Sequence, residues 1–330
     1  MTIRRMPRLM ALLAALVAAA AVLAACGSSD NSSSSSTGSG QSGGGSSAAA
    51  ITRNAQNANT TIVVGSKNFT EQKVLGEIYA QALSAAGYKV KKELNLGDQD
   101  IALKALKGGQ IDGYPEYTGT ALLSFLKVPA AKIPTDNRQA YEQVKAGMAK
   151  QGIVAEEPTP FTSSNEVGVT RDTAQKLGLS KISDLKGKSQ DLTLYGSPEC
   201  RTRRDCLLGL EQVYGLKFKK FVPVNLDQRH EVLKSGQADL SIVFTTDPQI
   251  KRDNEVLLKD DKGMFPPYNS TFLVRQDVAR KAGPDLVKTL TAVNKNLTAP
   301  VMQELNARVD LDKDTPAEAA AAYLKQFKLV

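Results

Sequence analysis

The chain has 330 residues, with 42 lysine and arginine against 34 aspartate and glutamate residues, a formal net charge of +8 at pH 7. Three of the arginines lie in the first eight residues, so the chain beyond them carries only +5. The basic blocks KVKK (89–92) and KFKK (217–220) alternate with apolar residues as an edge strand or a solvated face does. These features argue against a nucleic-acid-binding protein.

The first 26 residues have the pattern of a secretion leader. The charged segment MTIRRMPR is followed by 17 apolar residues, Leu9 to Ala25, which is the order of a signal peptide. A membrane-spanning helix needs about 20 apolar residues, so a permanent span is disfavoured. The sequence LAAC at 23–26 resembles the lipobox of bacterial lipoproteins. We therefore predict a signal peptide over 1–25, lipidation of Cys26 and attachment to the outer face of the cytoplasmic membrane, in a secreted, extracellular or periplasmic location.

A flexible tether is predicted after the leader. Residues 27–50 are nearly all serine, glycine, alanine and asparagine, and such a segment buries too little apolar surface to offset the entropy of ordering. We predict that the linker covers residues 26–60. A flexible chain of this length reaches roughly 30 to 35 Å, enough to hold a folded body above a membrane.

The remaining chain contains an internal duplication. Three patterns recur at offsets of 127 to 131 residues: a Gly-Ser turn after a β-branched run, an NLGDQ or NLDQ segment, and an LKGGQID or LKSGQAD segment, at 65–66, 95–99 and 106–112 and again at 196–197, 225–228 and 233–239. Each copy reads as strand, helix, strand, helix, strand. Alternating strands and helices predict an α/β fold of two lobes, each a mainly parallel sheet flanked by helices.

Two proline-marked segments are predicted to cross between the lobes and form a hinge. They are AEEPTPFT at 155–162 and KGMFPP at 262–267. The predicted organisation is a first part of lobe 1 over 61–160, lobe 2 over 161–264, and a return to lobe 1 over 265–330. The return includes a last helix with a capping box that begins at Thr315.

Ligand-binding chemistry is concentrated where the predicted strands end. Parallel sheets bind ligands at the carboxyl ends of their strands. DGYPEYTGT (112–120) places Tyr117 and Thr120 there, and GSKN (65–68) offers backbone N–H groups and the Lys67 ammonium to a ligand carboxylate. The alternatives are a surface turn that covers the core and a solvated lysine.

The cysteines beyond the leader are predicted to be bonded. Cys200 and Cys206 lie on the oxidising side of the membrane, where a disulfide is the default. The loop between them, RTRRD, contains three arginines, of which at least one is expected to face the cleft and the others the solvent. His230, the one histidine in the chain, is predicted to be a surface residue. Two cysteines and one histidine make a poor metal site, so no metal and no cofactor are predicted.

Enzymatic motifs are missing from the sequence. It contains no GxSxG, HExxH or GxxxxGKS pattern and no free nucleophilic cysteine with a histidine partner. An enzyme would have to work with carboxylates and lysines, so we predict that the protein is not an enzyme.

Several segments together resemble a known family of binding proteins. They are GSKNFTEQ, DGYPEYTGT, NLDQ, GQADL, FTTD (244–247) and FPPYNST (265–271). The chain from 61 to 330 is similar to the osmoprotectant-binding proteins of ABC importers, which capture glycine betaine, carnitine, choline and related quaternary amines. The resemblance implies the type II periplasmic-binding-protein fold, in which two α/β lobes close on the ligand.

The resemblance also implies roles for individual residues. A trimethylammonium group has no N–H to donate and is recognised by ring faces. The implied cage residues are Tyr117, Thr120, Phe244 and Tyr268. Lys67 and Arg203 match the clamp for the ligand carboxylate.

Asn165 departs from the family pattern. Many members carry a cage tyrosine where this chain reads FTSSNEV, so we expect a cage that lacks one wall, and Phe244 also lacks the hydroxyl of the frequent tyrosine. The prediction is a monomeric lipoprotein that delivers a quaternary amine to ABC permease subunits. The open alternatives are an amino acid or another small carboxylate as ligand, and a surface lipoprotein with a sensory role.

Overall fold

The structure is a computed structural model that describes residues 50–129 and 132–330. The predicted signal peptide, Cys26 and most of the predicted linker lie outside the described residues. The last part of the predicted linker differs from expectation, because Ala55–Asn59 is a 3-10 helix and the Ile51 N–H donates to the Leu329 carbonyl over 2.9 Å. The chain therefore joins the body before the predicted boundary at residue 60. Within the described ranges no helix has both the length and the apolar character to cross a membrane.

Strands and helices alternate along much of the body, which ends with four consecutive helices. The strands are β1 Thr61–Gly65, β2 Lys89–Glu93, β3 Gly113–Tyr117, β4 Ile153–Ala155, β5 Asn165–Thr170, β6 Thr193–Gly196, β7 Lys220–Pro223, β8 Leu240–Phe244, β9 Glu255–Leu258 and β10 Ser270–Arg275. The helices are α1 Thr70–Ala85, α2 Gln99–Lys107, α3 Thr118–Thr120, α4 Asn137–Ala149, α5 Arg171–Leu177, α6 Leu207–Tyr214, α7 Glu231–Lys234, α8 Gln249–Arg252, α9 Gln276–Ala282, α10 Pro284–Asn294, α11 Ala299–Asp310 and α12 Pro316–Gln326. A π-helix, Ala121–Phe125, continues α3.

Two five-stranded sheets with the same topology form the two lobes. The first has the order β2-β1-β3-β10-β4 and the second the order β7-β6-β8-β5-β9. In each sheet one strand, β10 or β5, is antiparallel to both of its neighbours, and the first three strands are mutually parallel. The predicted pair of mainly parallel α/β lobes is confirmed.

The position of each strand in its sheet follows from its composition. β1 (TIVVG) lies inside its sheet and buries Ile62 and Val64 completely. β2 (KVKKE) lies at the edge, where its lysines face the solvent and discourage pairing with another chain. The predicted reading of KVKK as an edge strand is therefore correct.

The last four helices enlarge the core of lobe 1. Apolar side chains of α10, α11 and α12 pack against α1 in one buried cluster. The Tyr79 hydroxyl of α1 donates to Asn294 Oδ1 over 2.7 Å, and the Tyr323 hydroxyl of α12 donates to the Val293 carbonyl over 2.6 Å. The capping box at Thr315 and Glu318 is present at the start of α12. Lobe 1 is thus supported by long helices that come from both ends of the chain.

Two crossings, 156–164 and 259–269, connect the lobes and are bonded to each other. Thr162 and Asn269 form an isolated antiparallel bridge, and the Ser163 N–H donates to the Tyr268 carbonyl over 3.0 Å. Each crossing then enters the next lobe as its antiparallel strand, β5 or β10. The hinge is therefore a paired ribbon that leads directly into both sheets.

Candidate ligand-binding cleft

All seven residues singled out from the sequence line one cleft between the lobes. Lobe 1 contributes three of them at the ends of β1 and β3, lobe 2 contributes three from β5, β8 and the disulfide loop, and the second crossing contributes the seventh. In chain order they are Lys67, Tyr117, Thr120, Asn165, Arg203, Phe244 and Tyr268. The structure brings these residues together, and their contacts with a ligand stay predictions.

An aromatic wall that the sequence reasoning missed is supplied by Phe69. This residue caps the start of α1 and lines the cleft. Its ring centroid lies 5.4 Å from that of Phe244 and 6.3 Å from that of Tyr117. Phe69 thus joins the ring of lobe 1 to the ring of lobe 2. An aromatic residue next to Lys67 in a strand-to-helix turn was the available signal.

Tyr117 is held in place by its strand and by a buried carboxyl. Every residue of β3 is buried, and the Tyr117 hydroxyl donates to Glu71 Oε1 over 2.6 Å. Gly119 of α3 packs directly against the ring of Tyr268. A Cβ at this position would lie only 2.6 to 2.8 Å from carbons of that ring. Glycine at this position is what allows the Tyr268 ring to approach the cleft floor.

Glu71 is a buried carboxyl with neutral partners. Besides Tyr117, Asn306 of α11 donates to its Oε2 over 2.9 Å, and Thr246 and Ser163 also hydrogen-bond to it. Burial raises the pKa of Glu71 above its ordinary value. Through these hydrogen bonds Glu71 links α1, α11, the first crossing and the segment after β8, directly behind Tyr117.

Lys67 differs from the predicted anion cradle. Its ammonium forms a buried ion pair with Glu116 Oε1 and lies 4.7 Å from the centroid of the Tyr117 ring. Burial lowers the pKa of Lys67, and the charge of Glu116 opposes that shift. The Lys67 N–H donates to Gln72, and the Asn68 N–H donates to the Gly97 carbonyl. The backbone donors expected to meet a ligand carboxylate are bonded within the protein.

Glu116 has two further donors. The Tyr114 hydroxyl donates to its Oε2 over 3.0 Å and the Tyr117 N–H to its Oε1 over 2.8 Å. Glu116 is completely buried. Tyr117 therefore contacts two buried carboxyl groups, that of Glu116, which is paired with Lys67, and that of Glu71, which accepts its hydroxyl.

The disulfide loop places one arginine in the cleft. Cys200 and Cys206 are bonded, with their Cα atoms 5.2 Å apart, so the predicted disulfide is confirmed. Arg203 faces the cleft, whereas Arg201 and Arg204 are exposed, as expected for a loop in which one of three arginines points inward.

Arg203 is bonded on two sides. Its Nε donates to Asp205 Oδ1 over 2.8 Å and its Nη2 to Asp205 Oδ2, while its Nη1 reaches across to Gln99 Oε1 in lobe 1 over 3.1 Å. Burial opposes ionisation of Asp205, but the Arg203 guanidinium and the Tyr268 hydroxyl hold its pKa below its usual range. The pair is therefore fully charged and bridges the two lobes through Gln99.

Asn165 supports the loop. Its Nδ2 donates to the Asp205 carbonyl over 2.9 Å. The residue lines the cleft through its position at the start of β5, but its side chain is committed to the disulfide loop. Because Asn165 stands where many family members have a tyrosine, we expected the cleft to lack one aromatic ring. The Phe69 ring adds an aromatic surface to the same cleft.

Phe244 is positioned by a charged cluster behind it. The Arg229 guanidinium carbon lies 4.8 Å from the centroid of the Phe244 ring, and Arg229 forms a buried bidentate pair with Asp247. Asp247 Oδ2 also accepts the Phe244 N–H over 2.8 Å. The FTTD motif thus fixes its own aromatic residue through the aspartate three positions later.

His230 is buried, so its prediction as a surface residue is wrong. Its Nδ1 lies 2.9 and 3.0 Å from the Glu255 carboxylate oxygens and its Nε2 lies 2.8 Å from Asp247 Oδ2. Burial opposes protonation, but hydrogen bonds to Asp247 and Glu255 outweigh it and raise the pKa of His230. Asp247 and Glu255, which are 8 positions apart in the chain, supply hydrogen-bond partners for both ring nitrogens of the buried histidine. Only the folded structure shows that these two carboxylates lie on either side of the ring.

Residues 60–326 match the family described as the substrate binding domain of ABC-type glycine betaine transport systems. The chain belongs to this family. Its members are solute-binding components of ABC transport systems, and the α/β architecture matches solved type II periplasmic-binding-protein structures, so the predicted family and fold are confirmed.

Individual members of the family show the range of relatives. The glycine-betaine-binding protein of Pseudomonas aeruginosa is 32% identical, over 82% of this chain and 89% of that protein. The ergothioneine transport permease/ergothioneine binding protein of Helicobacter pylori is 29% identical, over 84% of this chain and 50% of that protein. The crystal structure of a glycine betaine/carnitine/choline ABC transporter protein is 25% identical, with a TM-score of 0.66 over 81% of this chain and 99% of that one.

Proposed function

We propose that this protein captures a quaternary-amine osmoprotectant of the glycine betaine, carnitine or choline type and delivers it to an ABC permease. The observation that carries the proposal is the convergence of four rings on one cleft. These are Phe69, Tyr117, Phe244 and Tyr268, contributed by both lobes and by the hinge. The family of the chain and the names of its relatives support the same class of ligand.

The rings suit a trimethylammonium group because it offers no hydrogen bond. Attraction to an aromatic face is the main recognition left to such a group, and is worth about 2 kcal/mol or more for a desolvated ring. Tyr117 and Tyr268 are buried, with their hydroxyls bonded to Glu71 and Asp205. The ring orientations are therefore fixed in advance, which lowers the entropy lost on binding.

Capture is proposed to work by closure of the lobes, with no bond made or broken in the ligand. Contacts across the cleft include Arg203 to Gln99 and the packing of Phe69 on Phe244. Closure of this kind would enclose the ligand between lobe 1 and lobe 2, which are already in contact through these residues. The protein is proposed to act as a monomer attached to the membrane by lipid on Cys26, with the linker giving it reach.

A small carboxylate, such as an amino acid, is a second candidate ligand. The observation in its favour is that two cations, Lys67 and Arg203, line the cleft. Against it, each of the two is already paired with a carboxylate of the protein, Glu116 or Asp205. A free ligand carboxylate would have to compete with those partners.

Calorimetric titration with glycine betaine, carnitine and choline tests the proposal. We expect binding that falls at least about tenfold in Tyr117→Ala and in Phe69→Ala, since each change removes one ring of the cage. Phe218→Ala is the matched control, because Phe218 packs on the lobe 2 core and lies outside the cleft. No heat from any of the three ligands, with the protein folded, would reject the proposal and direct the search to amino acids.

A further inference from the structure

Asp205 is a buried acid that holds three of the residues lining the cleft. It is completely buried inside the disulfide loop. Its carboxylate accepts both arms of Arg203 and the Tyr268 hydroxyl, and its carbonyl accepts Asn165 Nδ2. One side chain therefore sets the position of a cation from lobe 2 and of an aromatic ring from the hinge.

This arrangement removes a positive charge from the reach of a ligand. Bidentate guanidinium–carboxylate pairs are among the strongest polar contacts in proteins, and the third nitrogen of Arg203 is directed to Gln99. Lys67 shows the same arrangement in lobe 1 through its pair with Glu116. Both cations that were expected to clamp a ligand carboxylate are balanced within the protein.

The cleft lining together with the groups bonded to it contains more acidic than basic side chains. The lining contains two basic residues, Lys67 and Arg203, and two acidic ones, Asp98 and Glu199, and the acidic residues Glu116 and Asp205 are bonded to the two basic ones. Glu71, behind Tyr117, has a raised pKa because of its burial. The cluster behind Phe244 pairs Arg229 and His230 with Asp247 and Glu255. The excess of carboxylates favours a cation over a zwitterion.

We propose that Asp205 is a specificity-determining residue, which neutralises Arg203 and makes the cleft select trimethylammonium cations that carry no carboxylate. Choline is the simplest such ligand, and glycine betaine is the matched zwitterion with the same headgroup. The inference rests on the proposed capture of quaternary amines and concerns discrimination within that class. A betaine carboxylate must either displace Asp205 from Arg203 or enter a negative site unpaired, and both raise the free energy of binding.

The test compares choline with glycine betaine by calorimetry, using protein purified from cells that express the full chain. Wild type is expected to bind choline more tightly. Asp205→Asn keeps the size of the side chain and frees the charge of Arg203, so the affinity for glycine betaine relative to choline should rise at least about tenfold. Asp260→Asn is the matched control in lobe 2, because Asp260 also accepts a tyrosine hydroxyl, that of Tyr214, away from the cleft.

The ratio of the affinities for choline and glycine betaine distinguishes a role of Asp205 in ligand selection from a role only in holding the disulfide loop in shape. If Asp205 only held the loop in shape, Asp205→Asn would weaken both ligands by the same factor, and that result would overturn the inference while leaving the proposed function intact. A wild-type preference for glycine betaine would overturn it as well. Absence of binding by both ligands to folded wild type would overturn the proposed function and the inference together.

Arg203→Gln gives an independent reading if Asp205→Asn does not fold. With its partner removed, the charge of Asp205 is no longer balanced, so the affinity for choline should rise severalfold. A loss of affinity confined to glycine betaine, with choline unchanged, would show that Arg203 clamps the ligand carboxylate. That outcome would contradict the role assigned to Asp205.

Discussion

The two lobes share a strand order but stabilise their sides of the cleft by different means. In lobe 1, Lys67 and Tyr117 follow buried strands, and α1 packs against the long helices α10, α11 and α12. In lobe 2, Arg203 lies in a loop closed by a disulfide, and Phe244 rests against the charged cluster of Arg229 and Asp247. Both walls contain a buried ion pair, but lobe 1 adds the packing of long helices, whereas lobe 2 adds a covalent link.

The difference follows from helix length. α7 and α8 of lobe 2 have four residues each, and helices so short gain little from cooperative hydrogen bonding. They cannot cover a sheet face as the 16-residue α1 does in lobe 1. The counterpart of α1 in lobe 2, α6 after β6, has 8 residues, so the two copies keep one topology while they differ in helix length and in cross-linking.

The largest expected effect sharpens this comparison, because lobe 1 also contains a buried ion pair, that of Lys67 with Glu116. Glu116→Gln leaves the Lys67 ammonium buried without a counter-charge, and we expect the free energy of unfolding to fall by about 3 to 5 kcal/mol. Urea denaturation measures it. Both side chains are at most 5% exposed, so solvent gives little compensation.

Glu71→Gln is the matched control for that variant. Glu71 accepts from neutral donors, the Tyr117 hydroxyl and the Asn306 amide, so an amide in its place leaves no buried ammonium unpaired and should cost about 1 to 2 kcal/mol. An equal loss in both variants would contradict the assignment of the larger effect to the ion pair between Glu116 and Lys67.

The next effect concerns the antiparallel strands of the two sheets. Glu166 is the second residue of β5, and its Oε2 is buried with no hydrogen-bond partner among the described residues. Thr271 is the second residue of β10, and its hydroxyl donates to the Glu156 carbonyl. Lobe 2 therefore carries a titratable group where lobe 1 carries a neutral one.

Stability should fall with rising pH because of Glu166. Burial, and then the charge of Asp260, raise its pKa to about 7 from the ordinary 4.5. The folded state binds the proton more tightly, so stability present below pH 4.5 is lost as the pH rises to 7, by up to about 3 kcal/mol. Glu166→Gln should flatten that slope in denaturation measured across this range, and a slope that persists in the variant would contradict the prediction.

The smallest effect is removal of the disulfide. Cys200→Ser with Cys206→Ser opens a short loop, and we expect a loss of about 2 kcal/mol. Hydrogen exchange should locate the loss in lobe 2, around Arg203 and α6, with α1 and α12 of lobe 1 unchanged. A loss spread evenly over both lobes would remove the distinction between their means of support.

Much of the architecture follows from patterns along the chain. The repeated landmarks predict two alike lobes, the proline-marked segments predict the crossings, and the ends of β1, β3 and β8 predict where ligand contacts gather. These are local signals, because strand ends, turns and helix caps depend on neighbouring residues. All seven candidate residues face one cleft for that reason.

What the sequence did not predict is pairing between distant residues. Lys67 meets Glu116 and His230 meets Glu255 only after the chain has folded, so neither the neutralised cation nor the buried histidine was evident. Phe69 was overlooked because its neighbour Phe244 belongs to the other lobe. Arg203 and Asp205 are different, since they lie two positions apart in RTRRD and their ion pair could have been predicted from the sequence.

Tyr268 lines the cleft and is also part of the hinge. Its carbonyl is bonded to Ser163 of the other crossing and its hydroxyl to Asp205 of lobe 2. Hinge segments absorb domain motion by rotation about their φ and ψ angles. Under the proposed function, opening of the lobes would move the Tyr268 ring away from the ligand, so the same motion that opens the cleft would also release the ligand.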